Sequence, residues 1–95
     1  MIKVVAKQTI KEGKIEEFKK VVAHLVAETR KEEGCIVYEL FQDVSDNNVF
    51  TFIEEWQSQE FLKNHMKAKH FLEAMPLLAE IRVKDSEINV YTLFM

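Results

Sequence analysis

The chain has 95 residues, 47% of them hydrophobic, with seven Phe and a net charge of −3. That length suits one domain spanning residues 1–95, and the apolar content argues against disorder. The charges are mixed and form no basic stripe, which argues against a nucleic-acid partner, and no apolar run approaches the ~18–20 residues that span a bilayer, which argues against a membrane.

Residues 2–11 alternate in period two, as a strand does: Ile2, Val4, Ala6, Gln8 and Ile10 share one face, and Lys3, Val5, Lys7, Thr9 and Lys11 the other. This start lacks the apolar block of a signal peptide, so the cytoplasm is the expected compartment. Gly13 breaks the alternation. Ile15, Phe18, Val22, Leu25 and Thr29 then recur at intervals of three and four, which predicts an amphipathic helix. Glu16 and Lys20 are spaced for an i,i+4 pair, and Gly34 is placed as a helix stop. Cys35, the single cysteine, permits no intrachain disulfide and reads as a small buried hydrophobe.

Cys35 to Asp43 predicts a strand with Ile36, Tyr38 and Leu40 on one face. Ser45, Asp46, Asn47 and Asn48 form a turn cluster. Val49 to Trp56 predicts the strand that closes the hairpin, with Phe50, Phe52, Glu54 and Trp56 on one face. Ser58 is placed as an N-cap. A helix follows through Phe61, Leu62, His65, Met66, His70 and Phe71, with Pro76 expected to break it or open a new first turn. Arg82 to Phe94 predicts a last strand, with a bulge or bend at Lys84 to Glu87. Strand, helix, strand, strand, helix, strand is the split βαβ order of the ferredoxin-like α+β folds. Helices would cover one face of a four-stranded antiparallel sheet. Because the strands carry apolar residues on both faces, a second copy of the chain is expected to cover the other, through a two-fold interface.

The stretches Gly13-Lys14-Ile15-Glu16-Glu17-Phe18, Arg30-Lys31-Glu32-Glu33-Gly34-Cys35, Tyr38-Glu39-Leu40 and Glu54-Glu55-Trp56, followed by His65 and His70-Phe71, resemble the antibiotic biosynthesis monooxygenase family. The resemblance runs over essentially the whole chain. It implies a ferredoxin-like domain that dimerises sheet to sheet into an α+β barrel. It also implies small-molecule chemistry. Members include cofactor-independent quinol and polyketide monooxygenases, heme-degrading enzymes and a processing enzyme for a quorum-sensing signal. The heme-degrading branch uses an Asn on the first strand, and residues 2–11 contain none, with Lys7 near that place. The polyketide branch carries an Asn four residues before the Trp, where this chain has Phe52. The small quinol-monooxygenase-like members remain. They imply a quinol or polyphenol and O2 as reactants, and no cofactor.

His65 lies on the apolar side of its helix. It is a pocket base, or a buried histidine satisfied by a backbone carbonyl. Glu54 sits between aromatics on its strand face. It is a base with a raised pKa, or one half of an ion pair. Trp56, Phe52 and Phe50 offer an aromatic wall for a planar substrate, or a core. Tyr38 is a core residue or a further part of that wall, and His70 a second pocket imidazole. Five residues apart on one helix, His65 and His70 would stand roughly 140° apart, so no metal site is expected. No Gly-rich phosphate loop, Rossmann fingerprint or Ser-His-Asp set occurs. The leading expectation is a cofactor-independent monooxygenase for a small electron-rich aromatic. The alternatives are a small-metabolite isomerase of the signal-processing kind and a non-catalytic, small-molecule-binding stress-response dimer.

Overall fold

Period-two alternation builds four strands in the structure, a computed structural model that describes residues 1–95. β1 (Ile2–Thr9), β2 (Cys35–Gln42), β3 (Val49–Trp56) and β4 (Glu87–Thr92) form one antiparallel sheet in the order β2-β3-β1-β4. With helices α1 (Ile15–Thr29), α2 (Gln59–His65) and α3 (Lys69–Ile81), this is an α+β ferredoxin-like fold. Ile2, Val4, Ala6 and Gln8 are buried beneath the helices, as the alternation requires. Gln8 is a polar member of that face and is satisfied there: Ser86 Oγ donates to its Oε1 at 2.7 Å. The registers line up residues across the sheet. Tyr38, Glu54, Val4 and Val90 form one row, and Leu40, Phe52, Ala6 and Ile88 the next.

The helical stripe of α1 is the one that its spacing predicts. Phe18, Val22, Leu25 and Thr29 are buried, and they meet Ala74, Leu78 and Ile81 of α3 over the sheet. Each such Phe or Leu side chain contributes about 1.5–3 kcal/mol when fully buried. The hairpin loop is built as its composition predicts, with Asp43 Oδ2 accepting from Ser45 N and Asp46 Oδ1 from Asn48 N, both at 2.9 Å. No helix is long and apolar enough to cross a membrane.

Several expectations are corrected. β1 ends at Thr9, because Ile10 leaves the ladder to bridge Arg82. Glu16 pairs with Lys19 at 3.5 Å rather than with Lys20. Gly34 does not stop α1, which ends at Thr29. The glycine sits in the following turn with φ +83°. Ile36 is swung out to 49% exposure by a bulge between Cys35 and Val37, which leaves Tyr38 as the buried member of that face. The second helix is two helices, parted at Met66–Ala68, where Lys67 N and Ala68 N bond back only three residues, to Asn64 O and His65 O. Pro76 lies inside α3 without breaking it. It stands on the exposed side with Leu72, whose carbonyl loses its usual partner at little cost where water can replace it. Finally, β4 begins only at Glu87. Residues 82–86 form a bend in which Arg82 Nη1 donates to Ser86 Oγ at 3.0 Å.

Candidate functional site

The turn after α1 and the start of α2 are pressed together at Gly34. A Cβ on this residue would run into the ring and Cβ of Phe61, so only glycine allows the approach, and its positive φ suits the turn. Gln57 N donates to Gly34 O at 2.9 Å and locks the junction. The consequence is that Glu32, in that turn, reaches the end of α2. His65 Nδ1 donates to Glu32 Oε2 at 2.6 Å, and His70 Nε2 donates to the same oxygen at 2.7 Å. These lengths belong to charge-assisted hydrogen bonds.

His65 is 2% exposed. Its ring lies over Trp56 at 4.8 Å between centroids, with Phe71 edge-on at 4.9 Å and Tyr38 at 5.5 Å. Burial lowers its pKa, more than the hydrogen bond and the charge of Glu32 raise it. The imidazole is therefore neutral near pH 7, with its proton on Nδ1. Its other nitrogen, Nε2, has no protein partner, yet Thr29 Oγ1 is the only fully enclosed side-chain nitrogen or oxygen lacking one. Nε2 therefore opens on the adjoining cavity.

That cavity, of about 110 Å³, lies between the sheet and α2–α3. Its floor is the two sheet rows, including Tyr38, Glu54 and Phe52, and its walls include Met66, Phe71 and Ile88. Twelve of its sixteen lining residues are hydrophobic, so polar groups there are few and poorly hydrated. Glu54 is one of them. Its pKa is pushed up to about 7, by burial first and by the charge of Glu32, against the Trp56 Nε1–H bond of 2.9 Å to its Oε1. Near neutrality this carboxyl is present in both forms. Tyr38 is raised far above its usual range by burial and by the charge of Glu54, so its hydroxyl keeps its proton.

Four of the residues predicted from the sequence thus meet at the cavity: His65, Glu54, Phe52 and Tyr38. Trp56 does not line it. It is 0% exposed and lies behind His65 and beside Glu54, holding both. Phe50 is further off, packed on Phe18 at 4.7 Å. His70 faces away, into a surface hollow with Lys20, His24 and Glu73. The expectation that His65 and His70 cannot meet fails because the helix breaks between them and re-aims the second ring. Three side chains able to ligate a metal, Glu32, His65 and His70, consequently bring atoms within 4.8 Å of one another. Ligands sharing a zinc ion stand on the order of 3 Å apart or more, so the 2.6 and 2.7 Å contacts are those of a hydrogen-bonded triad. Arg30 donates to Tyr38 O at 3.0 Å. Glu32 escaped sequence reading. In the run Lys31-Glu32-Glu33 it looks like a solvated charge, and only a contact 33 residues away distinguishes it.

Residues 1–77 match the sequence profile of a family described as Antibiotic biosynthesis monooxygenase. Among curated relatives, the uncharacterized protein sll1783 of Synechocystis sp. (strain PCC 6803) is 30% identical over 84 residues, covering 88% of this chain and 57% of its own length. The Bacillus subtilis (strain 168) protein named "Putative monooxygenase YcnE" is 37% identical over 62 residues, covering 65% of each. The chain thus spans less than two thirds of either relative. A crystal structure titled antibiotic biosynthesis monooxygenase superposes with a TM-score of 0.96 at 33% identity, covering 100% of both chains.

Proposed function

The chain belongs to the antibiotic biosynthesis monooxygenase family, and on that premise we propose that residues 1–95 form one domain acting as a cofactor-independent monooxygenase on a small electron-rich aromatic such as a quinol. The observation that carries this reading is the apolar cavity into which a buried, neutral imidazole presents its free nitrogen. A cavity of roughly 150 Å³ accepts benzene. At about 110 Å³, with an open side, this one suits a single ring better than a fused pair.

The chemistry balances without a further reductant. His65 Nε2 takes a phenolic proton, and the electron pair stays on the substrate oxygen. The anion passes an electron to O2, and the two fragments join as a ring peroxide. The imidazolium returns its proton to the peroxide, the O–O bond breaks, and loss of water leaves the hydroxylated quinone. For hydroquinone the sum is hydroquinone plus O2 giving hydroxybenzoquinone plus water. A dry cavity favours the first step, because a weakly hydrated anion is the better electron donor. Glu54, titrating near 7, is the second proton acceptor within the same cavity.

Oxygen uptake on hydroquinone, with the hydroxyquinone identified by mass spectrometry, tests this. Wild type should exceed the enzyme-free rate, and His65→Ala should lose ~10²- to 10⁴-fold. Uptake no faster than autoxidation would overturn the reading. The presence of both His65 and Glu54 at one cavity also supports a second reading, an isomerase using the same two groups as acid and base. Turnover of a substrate under anaerobic conditions would favour it.

The homodimer belongs to the same proposal. Ile88 and Val90 lie on the helix-side face of β4 yet are 60% and 48% exposed. On the opposite face Phe41 and Tyr91 are 50% and 51% exposed, beside Val5 and Ile53. A second copy against these faces would bury them and shield the cavity.

A further inference from the structure

We infer that Glu32 is the positioning residue of this site: it holds His65 as the Nδ1–H tautomer with Nε2 bare toward the cavity, and it balances the imidazolium that forms when His65 takes a substrate proton. The inference rests on the reading of His65 as the base and adds the group through which that base works. Its grounds are geometric. Two imidazoles from two separate helices converge on one oxygen of a carboxylate from a third segment, at 2.6 and 2.7 Å. Glu32 is 15% exposed and has no lysine or arginine partner, so its charge is directed at two imidazoles alone. His70, donating to the same oxygen, fixes the carboxylate from the side away from the cavity. A histidine satisfied only by a carbonyl would hold the same tautomer but would gain much less on becoming charged, because a dipole stabilises a cation less than a full negative charge does.

The proton step is simple. The substrate O–H bond breaks, its proton goes to His65 Nε2, and its electron pair stays on oxygen. The Nδ1 proton stays where it is. A neutral Glu32–His65 ion pair then replaces a lone cation in an apolar site. The titratable groups that face the triad are Tyr38 from β2, Glu54 from β3, Cys35 beside the turn, Lys20, His24 and Glu28 from α1, and Glu73 from α3. Lys20 and Glu73 share the surface hollow of His70, and the charges that act on His65 itself are those of Glu32 and His70.

The first test needs no variant: nitrogen-15 NMR of histidine-labelled wild type at pH 7. His65 protonated on Nδ1 and bare on Nε2 is expected, and the reverse tautomer overturns the inference. The second test is Glu32→Gln, close in shape but uncharged. It should lower the pH at which His65 takes a proton, and it should reduce kcat/KM for hydroquinone oxidation by ~10²-fold, mainly in kcat. His70→Gln, which keeps a neutral donor, should stay closer to wild type than His70→Ala. If His65→Ala abolishes uptake while Glu32→Gln stays within about two-fold and leaves the His65 titration unmoved, the inference alone fails. If His65→Ala leaves uptake intact, the base reading fails, and the tautomer and titration alone then decide the role of Glu32.

Discussion

Glu54 shows what a buried carboxyl costs a small domain. Its folded pKa of about 7 exceeds the ordinary 4.5, so the folded chain holds a proton that the unfolded chain releases earlier. The stability linked to that proton is full below the unfolded value and is lost as pH rises through about 7, by ~3 kcal/mol at most. His65 runs the other way. Its folded pKa lies below the ordinary 6.5, so stability is lost as pH falls beneath that value. Glu54→Gln keeps an acceptor for Trp56 Nε1–H and removes only the ionisation. Thermal melts from pH 5 to pH 8 should show the wild type losing stability toward the alkaline end relative to the variant. Parallel curves would show that the carboxyl is not perturbed. His65 was legible in the sequence as a histidine on an apolar stripe, and Glu54 as a carboxylate between aromatics. Neither partner was. Glu32 and the Trp56 indole acquire their roles only through where the backbone carries them.

Among the secondary-structure elements, the two glycines separate backbone strain from packing. Both have positive φ, +81° at Gly13 and +83° at Gly34. A Cβ on Gly13 meets nothing within 4 Å, whereas one on Gly34 runs into Phe61. Gly13→Ala should therefore cost only the left-handed strain, about 1–2 kcal/mol. Gly34→Ala adds displacement of α2 and should cost about 3 kcal/mol or more. Urea denaturation of both variants measures the difference, and equal losses would refute the packing account. Because Gly34 brings Glu32 to α2, Gly34→Ala should also disturb the His65 titration, and Gly13→Ala should not. The extents of α1 and β3 followed from periodicity, since one buried stripe or face fixes each. The division between α2 and α3 did not, because Met66-Lys67-Ala68 contains no breaking residue. Packing of His65 and Phe71, 4.9 Å apart, accompanies that break.

The open surfaces of β4 and of the sheet's back face raise the question of assembly for the whole molecule. We expect sedimentation of the wild type at micromolar concentration to show a dimer. Ile53→Lys, on the back face opposite Val5, should shift it to a monomer with the far-UV circular dichroism retained. A wild type that sediments only as a monomer would remove the dimer, and with it the shielding assigned to a second copy. The alternation that predicted apolar residues on both faces holds in the structure, with charged groups among them: Lys3 lies 3.9 Å from Glu55 across that back face.

The sequence by itself determined the order of the four strands and the place of α1 among them, the inward faces of β1 and β3, the buried stripe of α1 and the hairpin turn. These follow from local periodicity and turn chemistry, which each segment carries alone. Tertiary structure decided the rest. It placed Tyr38, Glu54, Val4 and Val90 in one row by strand register, and it joined Glu32 to His65 and His70 across 33 and 38 residues. It also gave Glu54 its raised pKa, by enclosing it under two helices. A side chain's charge and proton depend on what surrounds it, and only the folded chain supplies the surroundings.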